Sequence, residues 1–158
     1  MCALYWQLND VWAAPTWSSI DTDLNWKMVH YEARRFMAPV IVALYAVGFN
    51  DMGVSVVNDS PEDINDARLI VDMLAWGNGF DPIYSDEKMV AVEPMSSIEV
   101  KFPEMLRTSD ADFIIRARLL NSSGNSIAPE TILLPERLYE VSCHVSRWAK
   151  IRSNYSRP

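Results

Sequence analysis

The stretch 4–12 carries the densest set of side chains that could bind a small molecule. It places Trp6 and Trp12 beside the polar residues Asn9 and Asp10, at the end of an apolar run. An indole face suits the C–H bonds of a pyranose ring, and neighbouring amide and carboxylate groups can hold the hydroxyls of a sugar. The residue types therefore indicate a carbohydrate-binding surface. The alternative is that these aromatic side chains belong to an ordinary hydrophobic core.

Composition and motifs exclude several other classes of function. The 158 residues carry a net charge of -7 and 49% of them are hydrophobic, which is typical of a folded globular protein. An acidic chain without clustered Lys and Arg is not expected to bind nucleic acid, and no run of 18 apolar residues predicts a membrane span. His30 and His144 lack the spacing of a zinc site, and neither a glycine-rich phosphate loop nor a GxSxG nucleophile motif occurs.

The elements that would position the aromatic stretch are a strand, a long loop and a helix. An apolar run predicts a short buried strand at residues 3–8, and Ser, Thr, Asp and Pro residues predict the loop that follows. Apolar residues then recur every three or four positions, which predicts an amphipathic helix that Asp23 or Asn25 caps and that Pro39 ends at Ala38. Polar residues at the carboxyl end of such a strand would lie on the active-site face of a (β/α)8 barrel. The apolar stripe of the predicted helix contains Trp26, Val29, His30, Ala33, Phe36 and Met37.

After Pro39 the apolar pattern changes to a period of two, which predicts β-strands. Turn residues such as Asn78-Gly79 separate the apolar runs. Seven short strands in about 95 residues predict an antiparallel β-sandwich of the immunoglobulin-like type. The predicted strands are 41–47, 53–57, 68–75, 88–93, 98–102, 112–120 and 131–134.

These patterns divide the chain into three parts. Residues 1–38 form the strand–loop–helix unit and residues 39–136 form the sandwich, so the predicted fold class is mostly β. Residues 137–158 have no clear period, and we interpret them as a linker or as the start of a further domain. The abrupt apolar opening at Met1 does not have the basic and then apolar pattern of a secretory signal, and it resembles the middle of a protein.

Three Asn-x-Ser sequons provide candidate glycosylation sites at Asn58, Asn121 and Asn154. Asn121 lies in a predicted turn and is the best candidate, whereas a proline follows the Asn58 sequon. Cys2 and Cys143 lie in segments of different character and are interpreted as two unpaired thiols.

Specific sequence motifs occur in the first 39 residues. They are Met1-Cys2-Ala3-Leu4-Tyr5-Trp6-Gln7-Leu8-Asn9-Asp10, Trp12, Pro15, Trp17-Ser18-Ser19, Trp26-Lys27-Met28, His30-Tyr31 and Phe36-Met37-Ala38-Pro39. Together they closely resemble the animal β-mannosidases of glycoside hydrolase family 2. The usual opening in that family is Met-Gly-Ala/Ser-Leu-Tyr-Trp, and Cys2 here replaces the glycine. The resemblance continues more loosely through the sandwich to Leu134-Pro135-Glu136.

The resemblance implies a retaining exo-hydrolase that removes terminal β-linked mannose from the non-reducing end of oligosaccharides. Animal members act in the lysosome and need no metal or organic cofactor. Residues 1–38 would be the eighth strand, active-site loop and final helix of a (β/α)8 barrel. The mechanism needs two carboxylates about 5–5.5 Å apart. In the family both are glutamates on earlier strands, which have no counterpart in this chain. The chain alone is therefore predicted to be an inactive fragment without catalytic residues.

The resemblance also implies roles for residues of the aromatic stretch. Trp6 matches the tryptophan that the family uses as a platform beneath the terminal sugar of a mannose-terminated oligosaccharide. Asn9, Asp10 and Trp12 match positions in the same loop. They are predicted to bind substrate, and the equally open alternative is that they brace the loop by hydrogen bonds.

A second interpretation makes the sandwich the working part of the chain. Aromatic residues on an exposed sheet could bind glycans, and Trp76 and Tyr84 are the candidates. On this interpretation the protein is a non-catalytic carbohydrate-binding or interaction module. Trp76 ends a predicted strand beside Gly77, where an indole commonly packs into the domain.

Overall fold

The computed structural model describes residues 4–47, 51–75, 79, 81–103 and 113–134. Several sequence predictions concern positions outside the described residues, namely Cys2, Trp76, Cys143, Asn154 and the segment 137–158. No helix in the described part of the chain is long and apolar enough to cross a membrane. The described elements, in chain order, are α1 (Met28–Phe36), β1 (Val40–Val47), β2 (Asp51–Asn58), β3 (Ile64–Ala75), β4 (Pro82–Val92), β5 (Ser96–Phe102), β6 (Phe113–Leu120) and β7 (Thr131–Leu133).

The seven strands form two antiparallel sheets, and this confirms the predicted mostly-β fold. One sheet has the order β1-β2-β5 and the other has the order β4-β3-β6-β7. The chain crosses between the sheets from β2 to β3, from β4 to β5 and from β5 to β6. This arrangement is that of an immunoglobulin-like sandwich. At one side the Thr131 hydroxyl donates a hydrogen bond to the Val42 carbonyl, 2.6 Å away, and so links the edges of the two sheets.

The core of the sandwich follows from the alternation of apolar residues. In β3 the side chains of Leu69, Val71 and Met73 are fully buried, as the shared face of that strand predicts. The opposite sheet contributes fully buried residues such as Met52 and Phe102. Each such side chain stabilises the fold by about 1.5–3 kcal/mol. The core cluster of buried residues contains only residues between Val42 and Ala128, so it belongs to the sandwich.

A buried carboxylate lies on the other face of β3. The Asp72 side chain is 2% exposed, and one of its oxygens accepts hydrogen bonds from Arg116 Nη2 at 2.8 Å and Arg118 Nη2 at 2.9 Å. Its second oxygen accepts from the Ser85 hydroxyl at 2.7 Å. Burial alone would raise the pKa of Asp72, but these hydrogen bonds and the two arginine charges outweigh it and lower the pKa. Asp72 therefore ties β3 to both of its neighbours in the four-stranded sheet.

The predicted strand at residues 3–8 is wrong for the part that the structure describes. Residues 4–8 are not in a strand, and Leu4 and Trp6 are exposed. A strand needs a hydrogen-bonded neighbour, and the backbone of this segment bonds to its own loop instead. The Leu8 carbonyl accepts from the Ile20 amide at 2.9 Å.

The predicted helix is present, but its start and its surroundings differ from the prediction. It begins at Met28, with Lys27 at the N-cap position and no capping side chain. Asp23 and Asn25 do not cap it, because both lie in a separate turn organised by Asp21, whose carboxylate accepts from both of their amides. The helix ends at Phe36, shortly before the proline that was predicted to stop it. Only one residue of its apolar stripe, Ala33, is buried.

Candidate functional site

Three tryptophan side chains in the segment that precedes α1 are more than 70% exposed. The exposed fraction is 79% for Trp6, 71% for Trp12 and 81% for Trp17. Large aromatic side chains are seldom this exposed unless they form a binding surface or an interface. The peptide bond between Trp6 and Gln7 is cis. This group of three indoles, together with the loop that carries them, is the candidate functional site.

Backbone hydrogen bonds close the base of the loop. The Asp10 amide donates to the Ile20 carbonyl at 2.9 Å, and the Ser19 amide donates to the Gln7 carbonyl at 3.0 Å. Residues 11–17 therefore project from a closed stem, as in a compact Ω-loop. Trp12 and Trp17 lie within this projection.

A buried ion pair reinforces the stem. Lys27 Nζ lies 2.7 Å from Asp10 Oδ2, and the Asp10 side chain is only 2% exposed. The Thr16 hydroxyl donates to the other carboxylate oxygen of Asp10. The hydrogen bonds from Lys27 and Thr16 are the main causes that lower the pKa of Asp10 from 3.8 to about 2. Asp10 is therefore ionised throughout the range in which enzymes work, and both of its oxygens are occupied.

A second set of contacts fixes the stem to the helix. The Ser19 hydroxyl donates to the Leu8 carbonyl at 2.8 Å and lies 3.0 Å from His30 Nδ1. Because Ser19 gives its single proton to Leu8, it accepts a hydrogen bond from Nδ1–H of His30. The Trp26 ring packs on the imidazole with centroids 4.3 Å apart. His30 is thus a half-buried histidine whose ring fixes the helix to the stem of the loop.

Most carboxylates of this segment already have partners. Asp21 accepts the amides of its own turn, and these hydrogen bonds lower its pKa. Glu32 pairs with Arg35 at 3.4 Å on the exposed face of α1. With Asp10 engaged by Lys27, the segment offers surfaces for binding but no two free carboxylates of the kind that glycoside hydrolysis needs. Among the residues that the structure describes, no group of three or more His, Cys, Asp or Glu could hold a metal ion.

Two curated β-mannosidases align with most of the chain. A probable β-mannosidase of Caenorhabditis elegans is 45% identical over 148 residues, which cover 89% of this chain. The β-mannosidase of Bos taurus is 37% identical over 141 residues, which cover 87% of this chain. The chain is homologous to a segment of the β-mannosidases. This confirms the resemblance that the motifs of the first 39 residues predicted.

The chain spans 16% of the length of the nematode β-mannosidase and 12% of the bovine one. No protein-family model matches the chain. Among solved structures, an exo-β-D-glucosaminidase superposes on 84% of this chain with a TM-score of 0.62 and 16% sequence identity, and the match covers 15% of that enzyme. At this identity the superposition shows a shared fold.

The structure separates the four predicted substrate-binding residues into two groups. Trp6, Asn9 and Trp12 are exposed, whereas Asp10 is buried in its ion pair. For Asp10 the geometry favours the bracing alternative, because no surface of its carboxylate is left for a sugar hydroxyl. Sequence reasoning missed Lys27, which lies outside the apolar stripe of the predicted helix. Its position inside the β-mannosidase motif Trp26-Lys27-Met28 was the available signal.

The predicted glycosylation site at Asn58 is incompatible with the folded domain. The Asn58 side chain is completely buried, and its nitrogen donates to the Glu62 carbonyl at 2.7 Å and the Glu93 carbonyl at 3.2 Å. The nitrogen that would carry a glycan therefore holds two loops together. Asn121 lies in the turn after β6, where its side-chain oxygen accepts the amides of Ser123 and Asn125. Asn121 thus remains the candidate among the described sequons.

Proposed function

We propose that the chain is a segment of a retaining exo-β-mannosidase of glycoside hydrolase family 2, which removes terminal β-linked mannose from oligosaccharides. Residues 1–38 are the last strand, active-site loop and final helix of a (β/α)8 catalytic barrel, and the strand forms only against its barrel neighbours. Residues 39–136 are the immunoglobulin-like domain that follows the barrel in the chain. Residues 137–158 are a linker or the start of a further domain. The complete enzyme acts in the lysosome on glycoprotein glycans.

One observation carries the proposal. Trp6 and Trp12 are exposed on a segment whose stem is closed by backbone hydrogen bonds, within a sequence 45% identical to a β-mannosidase. An exposed aromatic surface on a braced loop is suited to stack against a sugar ring.

The residues of the segment have distinct parts in the proposed mechanism. Trp6 lies beneath the terminal mannose and orients the ring toward the reacting groups. The Asn9 side-chain nitrogen bonds to the Asp10 carbonyl at 3.1 Å, so its exposed oxygen is left to accept from a sugar hydroxyl. The nucleophile and the acid/base are two carboxylates on other strands of the barrel. No metal or organic cofactor takes part.

Hydrolysis of 4-nitrophenyl β-D-mannoside tests the proposal. The complete protein that carries this segment is expected to release β-mannose first, with retained configuration detectable by NMR before mutarotation, and to prefer the mannoside over its glucoside epimer. The 158-residue chain is expected to show no hydrolysis, because it lacks the carboxylate pair. Hydrolysis by the 158-residue chain, or an inverted product from the complete protein, would contradict the proposal.

A further inference from the structure

Lys27 contacts both sides of the projecting loop. Its ammonium group lies 2.7 Å from Asp10 Oδ2 on the incoming side and donates to the Ser18 hydroxyl at 2.7 Å on the outgoing side. A third, longer contact of 3.4 Å reaches the Thr16 hydroxyl. Three donors on one ammonium group therefore join both ends of residues 11–17.

The position of Lys27 is itself fixed. Its backbone amide donates to the Ser19 carbonyl at 2.8 Å, and its carbonyl accepts from the His30 amide at 2.9 Å in the first turn of α1. The side chain is 29% exposed, whereas its partner Asp10 is almost fully buried. A lysine held at both backbone and side chain fixes the loop relative to the start of the helix.

We propose that Lys27 is a positioning residue, which with Asp10 clamps the loop 11–17 and so holds Trp12 and Trp17 where they bind the saccharide. The inference rests on the proposed function for its substrate, but the clamp is defined by contacts within this chain. Without Lys27 the buried carboxylate of Asp10 would keep only hydroxyl partners. A buried carboxylate in that state favours protonation or exposure to water, and either change releases the loop.

The clamp has a defined dependence on pH. Asp10 has a pKa of about 2 in the folded chain, below the ordinary value of 3.8. Its contribution to stability is therefore fully present above pH 4 and is lost as the pH falls from about 4 to about 2. The charged group that faces Asp10 is Lys27. Among the described residues, the charge of Lys27 lowers the pKa of one other carboxylate, that of Asp21. Removing the ammonium group is expected to raise the pKa of Asp10, because the hydrogen bond from Lys27 is the main cause that lowers it. The stability that Asp10 provides should then be lost at a higher pH.

Steady-state kinetics of the complete enzyme provide the first test. Lys27→Met is expected to raise KM for a mannose-terminated oligosaccharide about tenfold and to change kcat less than about twofold, because a misplaced binding loop weakens ground state and transition state alike. In a background that carries both Trp12→Ala and Trp17→Ala, the same substitution is expected to add less than about twofold, since Lys27 acts through these two indoles. The matched control is Arg35→Met, which removes an exposed ion pair from the same helix and should leave both constants unchanged.

An unchanged KM in Lys27→Met, or an equal rise with and without the two indoles Trp12 and Trp17, would overturn the proposal. A second measurement does not depend on hydrolysis or on folding of the variant. In the wild-type 158-residue chain, the indole N–H signals of Trp12 and Trp17 are expected to shift on acid titration with the same midpoint, near pH 2, as the Asp10 carboxyl carbon. If the chemical shifts of the indole N–H signals stayed constant while Asp10 titrates, the clamp would be refuted even if the β-mannosidase assignment held. Indole signals that follow it, while the methyl signals of Val71 in the sandwich core stay unchanged, would support the clamp even if that assignment failed.

Discussion

Trp6→Ala is expected to lower kcat/KM for β-mannoside hydrolysis by about tenfold to a hundredfold in the complete enzyme. Burying a large apolar side chain is worth about 1.5–3 kcal/mol, and each 1.4 kcal/mol is about tenfold in rate, so covering the indole with a sugar is expected to contribute on this scale. An indole that serves as a platform faces the sugar and not the protein core, so little packing is lost with it. Thermal unfolding should therefore stay close to wild type. Initial rates and a melting curve on the same preparation check both expectations.

Trp26→Ala is the matched control for this experiment. Trp26 packs against His30 and against Tyr31, with ring centroids 4.3 Å and 5.4 Å apart. Its removal should lower the melting temperature and lower the kcat/KM of the folded enzyme less than Trp6→Ala does, because Trp26 contacts the stem of the loop and not the sugar. If instead Trp6→Ala melted early and its folded fraction kept normal kinetics, Trp6 would be a packing residue and not a platform.

Asp72→Ala is expected to lower the free energy of unfolding of the 158-residue chain by about 3 kcal/mol. Breaking a buried pair leaves the remaining charges without compensation, and Arg116 and Arg118 both lose their carboxylate. The effect should shrink in acid. The pKa of Asp72 is lowered in the fold, so the stability it provides is present above its ordinary pKa and is lost as the pH falls below it. Chemical unfolding at pH 6 and at pH 3 measures both effects.

Glu87→Ala is the control in the same sheet. Glu87 pairs with Arg68 at 3.5 Å, and both side chains are well exposed, so its loss should cost less than about 1 kcal/mol. Equal losses for Asp72→Ala and Glu87→Ala would show that burial does not distinguish the two ion pairs. That result would contradict the structural account of the four-stranded sheet.

The sandwich could be predicted from the sequence because its signal is local. A strand with one buried face alternates every second residue, so Leu69, Val71 and Met73 identify both β3 and its inner face. The apolar run at residues 3–8 gives a similar signal, yet residues 4–8 are not a strand. Strand formation depends on a hydrogen-bonded neighbour, and an apolar run does not reveal whether one is available.

The aromatic side chains of the candidate site could be predicted from the sequence, whereas the contacts that brace their loop could not. Trp6 and Trp12 stand out by residue type and by the β-mannosidase motifs. The pairing of Asp10 with Lys27 joins positions 17 residues apart across an irregular loop. No periodicity encodes such a contact. The sequence alone therefore does not decide whether Asp10 binds a sugar or braces the loop. The ion pair with Lys27 is what favours bracing.

A crystal structure of the complete enzyme with a bound mannose-configured inhibitor tests the central claim most directly. The account predicts that the Trp6 indole lies within about 4.5 Å of the carbon atoms of the sugar ring, at the carboxyl end of a barrel strand. A Trp6 side chain packed inside the protein, or an inhibitor bound without contact to residues 4–17, would contradict it.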